Sequence, residues 1–310
     1  MDAQPILQTE ALCKRYGSRL AVDHLNLRVL RGEVFGFLGP NGAGKTTTIR
    51  MLLGLIRPTS GRVELFGRDL AAHRAQVLPR VGALIEAPAL YPYLSGRANL
   101  RAFAGPLAGI SSERIDEVLR TVDLADRQRD RVRSYSLGMK QRLGVAAAML
   151  SNPDLLVLDE PANGLDPAGI VEMRDLLRSV VAKGATVFVS SHVLGEVQQL
   201  CDRVAIIARG QLITEAPVAK LLSGQGEFEV RVENPEAALQ VLQRSEWGRA
   251  ARLEAGVIVT QSPTGQGREL ARTLAEAGFY PDHLAERTHD LESIFLQLTS
   301  EHGAPKEMAA

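Results

Sequence analysis

Gly39-Pro40-Asn41-Gly42-Ala43-Gly44-Lys45-Thr46 is the stretch that decides how this chain is read. It matches G-x-x-x-x-G-K-[ST], a loop whose glycines let the backbone turn tightly and approach phosphate oxygens. The loop amides and the start of the next helix then point at the anion. Upstream, Val34–Leu38 is a short apolar run that predicts a buried strand; downstream, Thr46–Leu53 carries a helical pattern. The residues expected to hold a nucleotide here are Gly39, Pro40, Asn41, Gly42, Ala43, Gly44, Lys45, Thr46 and Thr47. Lys45 is expected to reach the β- and γ-phosphates, and the Thr46 hydroxyl to ligate magnesium.

Outward from the loop, Leu155–Leu158 and Thr186–Val189 are continuous apolar runs. Such runs predict central parallel strands buried on both faces. The first ends in Asp159-Glu160, and carboxylates at the carboxyl end of a strand fall where open α/β sheets bind ligands. Asp159 is expected to hold magnesium, and Glu160 to polarise the attacking water as general base. The second run leads through Ser190-Ser191 to His192, which falls on the same sheet edge and is expected to sense the γ-phosphate by donating a hydrogen bond.

The rest of the pattern is an alternation of short strands and helices. Residues 6–12, 24–29, Gly61–Phe66 and Val81–Ile85 predict strands, and 95–106, 111–121, Gly138–Leu150 and Pro167–Val181 predict helices. Arg209-Gly210 predicts a hairpin between Val204–Ala208 and Gln211–Thr214. The pattern shifts near Leu222–Gly226. Beyond it, Glu227–Val232, Pro235–Gln243, two strands around Glu254-Ala255-Gly256, Arg268–Ala277, His283–Glu286 and Leu291–Leu298 follow. Up to His283–Glu286 the order is β-α-β-β-α-β, which predicts a small ferredoxin-like α+β domain. The expected boundaries are 1–222 for the nucleotide-binding domain and 227–300 for the accessory domain, with 301–310 a frayed tail.

Composition excludes some classes. With 310 residues and a formal net charge of +0, the chain has no basic excess to make nucleic acid its main partner. Cys13 and Cys201 stand in no metal-ligand spacing and predict reduced thiols. No apolar stretch approaches the 18 or more residues that span a bilayer, and the N-terminus has no secretory signal pattern.

Ser136-Leu137-Gly138-Met139-Lys140-Gln141-Arg142 precedes an alanine-rich helix just upstream of the Asp-Glu strand. With the phosphate loop and the carboxylate pair, it resembles the signature motif in nucleotide-binding subunits of ATP-binding cassette (ABC) transporters. The resemblance covers residues 6 to about 220 and implies an α/β P-loop NTPase cassette. Such a cassette has a mixed sheet with a RecA-like core and a helical subdomain. It also implies ATP and Mg2+ as cofactors, ATP hydrolysis, and a site completed only when Ser136 and Gly138 of a second copy meet the γ-phosphate. Leu137 and Met139 depart from the commonest form of the motif. Tyr16 resembles the aromatic that stacks on adenine. Asp166, in Asn163-Gly164-Leu165-Asp166, resembles the acid of the loop that crosses the dimer interface.

One position departs from the family. Its usual glutamine, which touches magnesium and senses the transporter, is replaced by Glu86 in Ala83-Leu84-Ile85-Glu86-Ala87-Pro88. That string, with Leu90-Tyr91-Pro92, is similar to exporters of the bacitracin-resistance and lantibiotic-immunity group. The resemblance therefore implies a subunit, peripheral on the inner face of the membrane, that drives a separate permease exporting antibiotics, peptides, lipids or ions. Glu86 is carried over as a nucleotide and metal contact. Rival readings predict other features. A cassette acting on DNA or the ribosome would carry long insertions or a second cassette, a non-hydrolysing sensor would lack Glu160 or His192, and a small-molecule kinase would have no use for the Ser136 motif.

Overall fold

In a computed structural model, the chain is described over residues 4–107, 109–262, 267–288, 291–292 and 294–295. Strands β1 (Pro5–Tyr16), β2 (Arg19–Leu25), β3 (Arg28–Leu30) and β4 (Val34–Leu38) come first, followed by helix α1 (Lys45–Leu52). Strands β5 (Ser60–Leu65) and β6 (Arg68–Asp69), helix α2 (Leu70–Val77) and strand β7 (Val81–Leu84) come next. Helices α3 (Gly96–Ala104), α4 (Ser112–Thr121) and α5 (Leu137–Ala148) pack on one another as a helical lobe before β8 (Leu155–Asp159). Helix α6 (Pro167–Ala182), strand β9 (Thr186–Ser191) and helix α7 (Leu194–Leu200) lead to the hairpin of β10 (Arg203–Ala208) and β11 (Gln211–Pro217). This first compact unit runs to Val218.

The apolar runs are strands because they are covered on both faces. Every residue of β4, β9 and, as far as Asp159, β8 is buried. They lie in a six-stranded sheet of order β11-β10-β4-β9-β8-β7, parallel throughout except for the antiparallel edge strand β11. Register sets the functional edge. Leu38 stands opposite Ser191, Ser190 opposite Asp159, and Leu158 opposite Leu84. The carboxyl ends of β4, β9, β8 and β7 therefore open side by side, where such sheets bind ligands.

One face of this sheet shares a core with an antiparallel sheet in which β2, β1, β5 and β6 are neighbours and β3 also pairs with β1. Phe188 packs between Phe35 and Phe37, with ring centroids 5.7 and 5.4 Å away, beside Ile6, Val29 and Val63 of the second sheet. Ile49 and Leu52 anchor α1 in the same core. Helices cover the other face. α7 approaches β4 so closely that a Cβ on Gly36 would lie 2.8 Å from Val197 Cγ1 and 2.9 Å from Cys201 Sγ.

The predicted strand over 24–29 is two strands. His24 has φ +47°, and Asn26 Oδ1 accepts from the Ala11 backbone N–H at 2.8 Å, replacing a ladder hydrogen bond. A short polar side chain that competes for backbone groups ends a strand in this way. Helices α2 and α7 have no counterpart in the sequence-based reading.

The second unit, Ala219–Ile294, takes up the end of α8 (Val218–Leu222), then β12 (Ser223–Arg231), α9 (Pro235–Gln243), β13 (Arg252–Glu254), β14 (Val257–Gln261), α10 (Gly267–Glu276) and β15 (His283–Thr288). The antiparallel order β13-β14-β12-β15 is the ferredoxin-like arrangement. Phe228, Val230 and Ile258 pack against Leu242 of α9 and Leu270 and Leu274 of α10. The alternating residue Glu227 meets Arg252 at 2.8 Å, as the period-two alternation of a half-covered sheet requires. Residues 293 and 296–298 of the expected helix Leu291–Leu298, and the tail 301–310, lie outside the described residues. No helix among the described residues is long and apolar enough to cross a membrane.

Candidate nucleotide site

The loop after β4 keeps its shape through backbone that only glycine adopts easily. Gly44 has φ +109°, and a Cβ there would lie 2.6 Å from the Ala21 carbonyl oxygen. Helix α1 starts at Lys45, and Gly44 is its N-cap, with no side chain accepting from the first-turn amides. Those amides are the unsatisfied donors of a helix start, which suits an anion.

A cavity of about 630 Å³ opens on this loop. Pro40, Asn41, Gly42, Gly44, Lys45, Thr46 and Thr47 of the loop and α1 line it, together with Glu160, Asn163 and His192 and with Tyr16, Arg19 and Ala21. Gly39 and Ala43 lie outside this lining. The Gly39 carbonyl accepts from Lys45 Nζ at 2.7 Å, and Ala43 is buried in the core.

Lys45 is 6% exposed, so its charge must be met inside the fold. Glu160 Oε1 lies 3.2 Å away. The other oxygen of that carboxylate, Oε2, lies 2.7 Å from His192 Nδ1. Asp159 sits deeper and is held from two sides: Thr46 Oγ1 donates to Oδ2 at 2.9 Å and Ser190 Oγ to Oδ1 at 2.5 Å. The Glu160 backbone N–H in turn donates to Ser190 Oγ at 3.0 Å and to the Ser190 carbonyl at 3.2 Å. Glu160 has φ +51°, a left-handed backbone that costs a side-chain-bearing residue about 1–3 kcal/mol. The paired ends of β8 and β9 hold it there and aim its carboxylate at Lys45.

Ser190 is the residue that sequence reasoning treated only as a connector. It is fully buried, and its signal was a hydroxyl at the end of an apolar run flanked by another buried strand. Arg19 and Asn163 also line the cavity, and no sequence motif points to either in that role. Glu196 of α7 is a further neighbour: burial pushes its carboxyl above the ordinary range, Glu160 adds to the shift, and His192 opposes it.

The remaining candidate residues lie outside the cavity lining. Ser136 is the N-cap of α5, its hydroxyl accepting from the Met139 N–H at 3.2 Å. Asp166 caps α6 in the same manner, accepting from the Gly169 N–H at 3.1 Å. The Ser136 and Asp166 segments are neighbours, since a Cβ on Gly164 would lie 3.2 Å from Leu137 Cδ2 and one on Gly138 3.9 Å from Leu165 Cδ2. Glu86 points to α1, with Oε1 at 2.6 Å from Arg50 Nη2.

The family model for ABC transporters matches residues 22–163. The chain is 42% identical over 297 residues to the bacitracin transport ATP-binding protein BcrA of Bacillus licheniformis, covering 94% of this chain and 97% of that protein. It belongs to the ABC transporter ATP-binding family. A second relative is the lantibiotic transport ATP-binding protein SrtF of Streptococcus pyogenes, 40% identical over 210 residues, 68% of this chain and 90% of that protein. The solved structure of an ATP-binding subunit of an ABC transporter superposes with a TM-score of 0.62 at 30% identity, covering 70% of this chain and 91% of that one. The likeness to the bacitracin and lantibiotic group read from Ile85–Pro92 is thus carried by relatives of both kinds.

Proposed function

We propose that this cassette hydrolyses ATP to power an exporter whose membrane-spanning permease is a separate chain. The observation that carries the proposal is the Glu160 carboxylate, set between Lys45 and His192 on the wall of the phosphate cavity. In this reading the carboxylate accepts a proton from a water attacking the γ-phosphate, with His192 orienting it and donating to phosphate oxygens. Lys45 offers its ammonium to the same oxygens, and Tyr16 offers its ring, 48% exposed, to adenine. Catalysis here is positioning and charge stabilisation more than covalent chemistry.

Thr46 Oγ1 and Asp159 are hard oxygen donors joined at 2.9 Å, a donor set that fits Mg2+. When bound, the ion would neutralise phosphate charge beside these two residues.

Two copies are proposed to close on two nucleotides, with Ser136, Gly138 and the amino end of α5 facing the γ-phosphate held by the other copy. The exposed Leu137, 48% accessible beside that start, suits a surface that becomes covered. The subunit would sit on the cytoplasmic face of the membrane through its permease, contacting it around Glu86–Asn99. Bacitracin and lantibiotic transport belong to the names of the relatives. For this chain the proposal is the class of export, of antibiotics, peptides, lipids or ions. Phosphate release by the purified chain with MgATP is the test. Turnover should be saturable and lost in Lys45→Ala, and undiminished turnover in that variant would overturn the proposal.

A further inference from the structure

Helix α1 carries Thr46 and Arg50 one turn apart, and residues four apart share a helix face. Each meets a carboxylate at the end of a different strand. Thr46 bonds Asp159, the last residue of β8; Arg50 bonds Glu86, two residues beyond β7. The strands β7 and β8 are parallel neighbours with Leu84 opposite Leu158, so one helix face meets two adjacent strand ends.

The edge this helix faces holds three carboxylates. Asp159 takes hydrogen bonds from Thr46 and Ser190, and Glu160 is met by Lys45 and His192. Glu86 is met by the Arg50 guanidinium and lies outside the cavity lining. Its φ of +61° puts it in the left-handed region, which a glutamate adopts at a cost. A carboxylate released from that partner would add a third negative charge to an edge meant for a triphosphate.

We infer that Arg50 is a positioning residue that holds the Glu86 carboxylate, and its charge, away from the nucleotide phosphates. This rests on the reading that the cavity takes ATP. Both side chains are substantially exposed, 44% for Arg50 and 64% for Glu86, so the pair is weak and exchangeable. A glutamate on this edge is thereby made compatible with nucleotide binding, and Arg50 sets how much of its charge the phosphates meet.

The test is the affinity of a fluorescent ATP analogue, measured in EDTA without metal, for wild type, Arg50→Gln and the double variant Arg50→Gln/Glu86→Gln. Thermal melts confirm that each is folded. Arg50→Gln should bind about two- to fivefold more weakly, the range expected from an exposed pair. The double variant should return to wild-type affinity, and added salt should shrink the difference. Unchanged affinity in Arg50→Gln overturns the inference. So does equal weakening in the double variant, because Arg50 would then act on the phosphates directly. Failure of the wild type to bind the analogue would instead count against the cavity as an ATP site.

Discussion

Nδ1 of His192 lies 2.7 Å from Oε2 of Glu160, across 32 residues of sequence. The contact exists because β9 and β8 are adjacent and in register, with Ser190 opposite Asp159, so that the residues after each strand emerge side by side. Removing the imidazole should leave the cavity open and Glu160 unsteered. His192→Ala is expected to lower ATP turnover by about a hundredfold with little change in KM. Steady-state kinetics check this, and a rise in KM with kcat held would reassign His192 to simple binding.

Ser190 joins the two strand ends through one buried hydroxyl. Ser190→Ala would leave Asp159 Oδ1 without that donor and remove one acceptor of the Glu160 N–H. Losing a buried partner costs about 1–3 kcal/mol. Urea unfolding should show a lowered midpoint with unchanged slope. An unchanged midpoint would mean that the hydroxyl is dispensable to the fold.

Gly36 is where α7 presses on β4, with Val197 and Cys201 within 3 Å of the position of an added Cβ. Gly36→Ala should destabilise by about 1–3 kcal/mol through overpacking of the central strand. A melting temperature equal to that of wild type would show that α7 can move away at no cost.

Glu33 gives a pH dependence. It is buried, accepts from the Leu30 N–H at 2.7 Å and pairs with Arg203 at 3.2 Å. Burial pushes its carboxyl above the ordinary range, with those partners opposing. The folded chain therefore holds this proton at pH values where the unfolded chain has released it. Stability from this group is full below the unfolded value and is lost as pH rises through the raised folded value. Glu33→Gln cannot titrate, so wild type should lose stability relative to the variant as pH increases across that window. Urea midpoints of both proteins against pH check this; an opposite trend would mean that the Arg203 pairing outweighs burial.

The phosphate loop was legible because its chemistry is local: glycines, lysine and threonine sit in one octapeptide. The strands β4, β8 and β9 were legible because burial on both faces leaves an unbroken apolar run. The split of 24–29 was hidden, since it depends on Asn26 meeting Ala11 from another strand. Ser190 was hidden for a like reason: its work follows from strand pairing, and a serine after Val189 looks like any strand end. The Glu86–Arg50 contact joins residues 36 apart, and spacing alone does not announce it.

The central claim is that Glu160 activates the water that attacks ATP. It is tested most directly by phosphate release from Glu160→Gln, with ATP affinity measured on the same preparation. Turnover at least about a hundredfold below wild type, with ATP binding retained, is the expected result. Hydrolysis at the wild-type rate would contradict it.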